Sequence, residues 1–232
     1  MLENLKRRVC DANLRLAAEG LAVQTFGNAS GIDRPSGNLV IKPSGMSYDR
    51  MKPEHMVVVS LNTGKVVEGT LNPSSDTPTH LVLYRAFADV GGVVHTHSLY
   101  ATAWAQAHLE IPALGTTHAD YFRGTVPCTA AISDRQIAGE YEEETAVQIV
   151  EAFRRLDYRE MPAMLVASHS PFTWGRDAAE AVYHATMLEY AAEIAAITVV
   201  LNPRIGPAKR GLVDRHFLRK HGAAAYYGQS GA

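Results

Sequence analysis

Leu2, Leu5, Val9, Leu14 and Leu16 recur at roughly helical spacing, and Gly20 stands where a helix would stop. The pattern predicts an N-terminal helix. Thr25 to Gly31 then reads as a short strand of small residues, and Asn38 to Pro43 as a second strand beyond the turn Arg34-Pro35-Ser36-Gly37. Met56 to Leu61 and Lys65 to Glu68 flank Asn62-Thr63-Gly64, a hairpin with a glycine turn. A helix starts at Ser75 or Asp76, either of which can cap it, carries Pro78 in its first turn and runs through Leu83 and Phe87. Gly91-Gly92-Val93-Val94-His95-Thr96-His97 reads as a buried strand, because β-branched apolar residues follow a glycine pair. Leu99 to His108 forms a helix with Trp104 toward the core, and Thr116 to Tyr121 a loop. Ser133 or Asp134 opens a helical region through Phe153 and Leu156, with Glu140 to Glu144 as a solvated acidic face. Ala163 to Ser168 is another apolar strand. Ala178 to Val200 is an alanine-rich helix, apolar enough for burial on most of its circumference, and Leu212 to Gly222 is basic and partly helical.

Strands alternating with helices, plus a hairpin, predict an α/β fold with a mixed sheet between helical layers. No repeat or linker divides residues 1–232, so a single domain is expected. Apolar residues make up 47% of the chain and charged residues 20%, enough for a sizeable core. The net charge of −2 gives no reason to expect nucleic acid or an anionic membrane as partner. Cys10 and Cys128 are far apart and form no metal-type pair, which fits a reducing cytoplasm. Charges occupy the N-terminus where a signal peptide is apolar, and the most apolar segment, Ile194 to Leu201, is too short to span a membrane.

The candidate chemistry centres on His95 and His97. On a strand they project from one face, roughly 7 Å apart at about 3.3–3.4 Å per residue, and two imidazoles so placed can converge on one metal ion. Two satisfied or exposed histidines are the plainer alternative. His169, at the end of the Ala163 to Ser168 strand, is the natural third ligand. Ser74 and Ser75 at a helix start suit a phosphate, although plain capping needs only one such residue. Gly27 and Gly31 permit a ligand to approach the backbone, although a bulge or turn is the plainer account of them. His118, Asp120 and Tyr121 crowd one loop, and the tail carries Tyr226 and Tyr227. Three histidines, an acidic residue and a phosphate pocket suggest Lewis-acid chemistry on a phosphorylated small molecule.

Taken together, several blocks resemble a known family. They are Thr25-Phe26-Gly27-Asn28-Ala29-Ser30, Ile41-Lys42-Pro43-Ser44-Gly45, Pro73-Ser74-Ser75-Asp76-Thr77-Pro78-Thr79-His80, Val94-His95-Thr96-His97-Ser98, Gly115 to Phe122, Ser168-His169-Ser170-Pro171-Phe172 and Leu218 to Ala223. The chain is similar over nearly its whole length to the class II aldolase and epimerase family, and within it to the L-ribulose-5-phosphate 4-epimerases. The resemblance implies a single-domain α/β/α layered fold about a central, largely antiparallel mixed sheet. It implies one Zn2+ per chain, with Mn2+ or Co2+ as substitutes, on His95, His97 and His169 with Asp76 as an exchangeable fourth ligand. Gly27, Asn28, Lys42, Ser44, Gly45, Ser74 and Ser75 would hold a phosphorylated pentulose. Asp120 would be one acid/base and Tyr227, from a neighbouring subunit, the other, with His216 close by. A homotetramer with sites shared between chains is implied, as is a role in pentose breakdown such as that of arabinose. The implied reaction interconverts L-ribulose 5-phosphate and D-xylulose 5-phosphate by breaking and rejoining the C3–C4 bond.

Two features depart from the family pattern: Ser170 replaces a glycine after the metal histidine, and the segment from Leu156 to Glu160 is shorter. Class II aldolases of the L-fuculose 1-phosphate type carry Glu where this chain has Asp76, and a non-catalytic cytoskeletal domain of similar fold lacks the metal site. Those are the alternative readings.

Overall fold

The computed structural model describes residues 2–227. The helical spacing near the N-terminus becomes α1, Glu3–Ala18, which buries Leu5, Val9 and Leu16. Strands β1 (Asn28–Asp33), β2 (Asn38–Ile41), β3 (Val57–Ser60) and β4 (Val66–Glu68) follow as consecutive antiparallel neighbours. Next come α2 (Thr77–Ala86), β5 (Gly92–His95), α3 (Leu99–Gln106), a single turn α4 (Thr116–Ala119), α5 (Asp134–Ile137) and α6 (Tyr141–Ala152). Strands β6 (Ala163–Leu165) and β7 (Pro171–Gly175), α7 (Ala178–Leu201) and α8 (Arg210–His221) are the last elements among the described residues.

The strands form one sheet of seven in the order β4-β3-β2-β1-β5-β7-β6. Every pairing between them is antiparallel, so the sheet is not mixed. Among the described residues, parallel contact is confined to an isolated bridge between Cys128 and Leu165. Side chains alternate across the sheet as a two-residue period requires. Leu39, Val57, Val59 and Val93 enter one core with α2, α3 and α6 residues, whereas Val40, Val58 and Val94 enter the other, beneath α1 and the start of α7. Helical layers thus cover both faces. Gly92 is needed where the chain enters α7, because a Cβ there would stand 2.2 Å from the Asp177 carbonyl carbon.

Several details differ from the expectations. Strand β7 was not foreseen, yet it lies inside the sheet between β5 and β6. Its Pro171 is the first residue of the strand, where a missing N–H is tolerated. Strand β5 ends at His95, so His97 lies beyond the strand rather than on it. The predicted loop at Thr116 includes the turn α4, and the helical region from Ser133 is broken at residues 138–140 and stops before Leu156. Helix α7 has 24 residues and is long and apolar enough to cross a membrane by length and composition, against the expectation that no segment would be. It lies packed across the sheet instead, through Val182, Ala185, Leu188 and Ala192. Its burial covers one stripe rather than most of the circumference: Val200 and Leu201 are 79% and 80% exposed.

Candidate active site

The sheet order brings the site together. Strands β1 and β5 pair so that Asn28 lies opposite His95, and β5 and β7 pair so that His95 lies opposite Phe172. His169, just before β7, is thereby delivered beside His95. The His95 ring centroid is 4.9 Å from that of His97 and 4.8 Å from that of His169. The bond between His95 Nδ1 and the Pro171 carbonyl, 3.0 Å, makes Nδ1 the donor and leaves the Nε2 lone pair free. That Nε2 is 3.2 Å from His97 Nε2. A tetrahedral ion with His bonds of about 2.0–2.1 Å separates its nitrogens by roughly 3.3 Å, so these two stand at ligand spacing. The candidate ligand atoms of the three histidines all lie within 4.8 Å of one another.

Protonation favours a cation too. Burial, then His95 and His97, push the His169 pKa down to about 4. Burial, then His95, lower that of His97. Neutral rings keep the lone pairs that ligation uses. Burial opposes ionisation of Asp76, but His95, His80, the Asn28 amide and His169 outweigh it and hold the carboxyl below its usual range. Three imidazoles beside an ionised carboxylate are a donor set that zinc, manganese or cobalt accepts.

Asp76 occupies the N-cap position of α2, as expected, but its side chain makes no cap bond. It accepts instead from Asn28 Nδ2 at 2.6 Å. The same amide nitrogen donates to Ser74 Oγ at 3.1 Å, and Asn28 Oδ1 has no partner among the described residues. Capping by Asp76 is thus replaced by a bridge from strand β1 to the helix start. Behind it Lys42 is 2% exposed. Its ammonium donates to the Thr25 and Pro43 carbonyls at 3.2 and 3.4 Å. Burial lowers its pKa to about 8, against the pull of Asp76. Lys42, Ser44, Gly45, Ser74, Ser75, Gly27 and Asn28 line the same cavity of about 410 Å³ as Asp76 and the three histidines. Every residue proposed for metal or substrate binding is therefore in one place.

Asp120, His216 and Tyr227 do not line that cavity. They meet on another face, where α8 packs on α4. Asp120 accepts from His216 Nδ1 at 3.0 Å and from Arg219 Nη2 at 2.9 and 2.8 Å, with Lys220 Nζ 3.4 Å away. Burial opposes its ionisation, and Arg219, His216 and Lys220 more than compensate, so its pKa is lowered. The Arg219 guanidinium and the Lys220 ammonium sit 4.8 and 4.4 Å from the Tyr227 ring centroid. Asp120 and Tyr227 thus flank the same pair of cations within the chain, Arg219 and Lys220.

Besides Thr25 and Phe26, two cavity residues had no role in the sequence reading: Tyr141 and Glu142, at the start of α6. They sit in a run of acidic residues that reads as a solvated face, and Gly139 was the one hint of a break that aims the helix start inward. The fully buried His80, hydrogen-bonded to Ser30 Oγ at 2.7 Å, was also unforeseen as a neighbour of Asp76.

Comparison with known proteins agrees with this geometry. Residues 7–196 match the class II aldolase and adducin N-terminal domain. The chain belongs to that family. An L-ribulose-5-phosphate 4-epimerase UlaF of Salmonella paratyphi B is 51% identical over 228 residues, covering 98% of this chain and 100% of that protein. The protein of the same name from Salmonella typhi matches to the same extent, again 51% over 228 residues. Among solved structures, an L-fuculose 1-phosphate aldolase superposes with a TM-score of 0.80 at 25% identity, covering 92% of this chain and 94% of the other. The L-fuculose-1-phosphate aldolase of Thermus thermophilus superposes at 0.69 with 26% identity, covering 88% and 98%. The class II aldolase fold is thus common to all of them.

Proposed function

We propose that this class II aldolase-family protein is an L-ribulose-5-phosphate 4-epimerase that interconverts L-ribulose 5-phosphate and D-xylulose 5-phosphate. The observation that carries the reading is the single cavity in which three imidazoles and an ionised Asp76 face a buried lysine ammonium and two serines. One half suits a divalent ion, the other a phosphate. The full-length likeness to epimerases supports it.

A zinc ion on His95, His97 and His169, with Asp76 beside it, would supply Lewis-acid stabilisation of the negative charge that develops as the bond breaks. The residues of the chain do the rest. Lys42, Ser44, Ser74 and Ser75, with the Gly45 backbone, hold the phosphate, because charge-assisted hydrogen bonds are the strong ones. Asn28 Oδ1, otherwise unpartnered, accepts from a sugar hydroxyl. Loss of the proton from the 4-hydroxyl breaks C3–C4, leaving an enediolate and an aldehyde. The aldehyde turns over and is attacked on its other face, and its oxygen is reprotonated. One acid/base is needed on each face. Asp120 and Tyr227 are placed in those roles, with His216 orienting Asp120.

Because Asp120, His216 and Tyr227 lie away from their own chain's cavity, all three would come from one neighbouring subunit of a homotetramer. The exposed apolar end of α7 and the exposed tyrosines of the tail fit burial in such an assembly.

Purified protein given L-ribulose 5-phosphate should form D-xylulose 5-phosphate, with carbon-13 isotope effects at C3 and C4 and no solvent deuterium at C4. Deuterium at C4 would overturn the bond-cleavage route. The second reading is an L-fuculose 1-phosphate aldolase, favoured by the structural likeness. The shorter Asp76 speaks against it, because a Glu would reach further to act as the aldol base. Turnover of L-fuculose 1-phosphate, with none of L-ribulose 5-phosphate, would establish it.

A further inference from the structure

Tyr141 was absorbed by none of the roles above. It is the first residue of α6, and its hydroxyl lies 3.4 Å from His169 Nδ1 inside the cavity. Three contacts hold it there. Thr79, 1% exposed on α2, donates its hydroxyl to the Glu142 carbonyl at 2.6 Å. Thr145 donates to the Tyr141 carbonyl at 2.9 Å. The ring of Tyr141 also lies against that of His169, with centroids 6.2 Å apart. Helix α2, which begins at the Ser74-Ser75-Asp76 wall, is thus bolted to the residue that reaches His169.

The hydrogens can be counted. A neutral imidazole has one N–H and one lone pair. If Nε2 of His169 is to serve as a ligand, Nδ1 carries the hydrogen and needs an acceptor. The Tyr141 oxygen is the acceptor in reach. A phenol that accepts there still has its own O–H to donate.

We propose that Tyr141 is a bifunctional group of this site: its oxygen accepts from His169 Nδ1–H and fixes Nε2 toward the metal, while its O–H donates to a substrate oxygen. This rests on the metal reading of the three histidines given above. Losing such an outer partner typically costs about 10–100-fold in metal affinity or activity.

The test uses the full-length protein, zinc and a competing chelating dye. Wild type should bind one zinc per chain; failure at that step would defeat the metal reading itself, before Tyr141 is varied. Tyr141→Phe keeps the ring and loses the hydroxyl. It should weaken zinc about tenfold and, in zinc-saturated enzyme, raise KM for L-ribulose 5-phosphate more than it lowers kcat. Thr79→Val should weaken zinc in the same direction, and Thr79→Ser, which restores a hydroxyl, should recover it. Unchanged zinc affinity in Tyr141→Phe would overturn the role toward His169. An unchanged KM in the zinc-saturated variant would overturn the role toward substrate. Equal zinc affinity in Thr79→Val and Thr79→Ser would remove Thr79 as the anchor.

Discussion

Asp76 and Asp120 are both carboxylates held below their usual pKa, by different means. Asp76 sits in the cavity among imidazoles and an amide. Asp120 sits on the α4–α8 face under Arg219, Lys220 and His216. The first lies beside three imidazoles that could hold a metal ion. The second is already neutralised by cations of its own chain. Built of strand ends and a helix start, the cavity has its parts fixed by the sheet. By contrast, the Asp120 cluster hangs on a terminal helix, and its Tyr227 is 60% exposed. One region gathers imidazoles, a carboxylate, a buried ammonium and hydroxyls in a cavity, and the other surrounds a carboxylate with cations on a partly exposed face.

Removing the metal would break this contrast most severely. His97→Asn should lose zinc and activity together, by about a thousandfold or more, since a Lewis acid is worth several kcal/mol to the transition state. Zinc content per chain and turnover check it, and a metal-free, fully active enzyme would sink the cavity's role.

Asp120→Asn should lower turnover by about 10²–10⁴-fold, the usual worth of general acid–base catalysis, while leaving zinc content unchanged. The geometry then sets which pairs can complement. Exchanging subunits between His97→Asn and Asp120→Asn proteins should restore activity, because a hybrid site can combine an intact cavity with an intact cluster. Asp120→Asn mixed with Tyr227→Phe should not, because each chain supplies a defective cluster. Light scattering that finds a monomer under assay conditions would overturn the shared site.

Lys42→Met should raise KM for the phosphorylated substrate roughly 10–100-fold, as expected for losing a hydrogen bond to a charged group. In wild type the KM should rise as pH passes about 8, where Lys42 loses its proton. Stability should respond oppositely. The folded pKa is lowered from 10.5 to about 8, so between these values the unfolded chain binds more protons. The Lys42 contribution to stability therefore increases with pH across that window. Opposite slopes of binding and stability from one residue can be read by steady-state kinetics and urea titration.

The smallest effect concerns backbone. Gly27 has φ +79°, and a Cβ there would lie 3.0 Å from the His95 carbonyl oxygen. Gly27→Ala should cost about 1–3 kcal/mol, seen as a lower Tm. A variant as stable as wild type would show that this wall is looser than the φ angle implies.

Much of this was legible in the chain itself. Helix α1, the β3–β4 hairpin, the start of α2 and the length of α7 follow from apolar spacing and turn residues. Those signals are local, and packing did not override them. The donor types at His95, His97 and His169 were equally plain. Strand β7 was missed because Pro171 and Gly175 bracket only five residues, a run that reads as a loop until β5 and β6 close on it. Tyr141 was missed because its sequence neighbours are acidic, and only the contact of α6 with α2 turns it inward.

By itself the sequence determined which groups exist and, for several, where they stand: His95 on a strand, His169 after another, serines and Asp76 at a helix start, Asp120 in a loop. Side-chain periodicity and capping chemistry operate over a few residues, so a local pattern suffices to place them. Tertiary structure alone decided who meets whom. The order β1-β5-β7 joins Asn28, His95 and His169 across gaps of 67 and 74 residues in the chain. It also turns Asp76 from capping its helix to bridging Asn28, and it gathers Asp120, His216 and Tyr227 on a different face. Such meetings are set by long-range pairing and by burial of both sheet faces, which no short window of sequence contains.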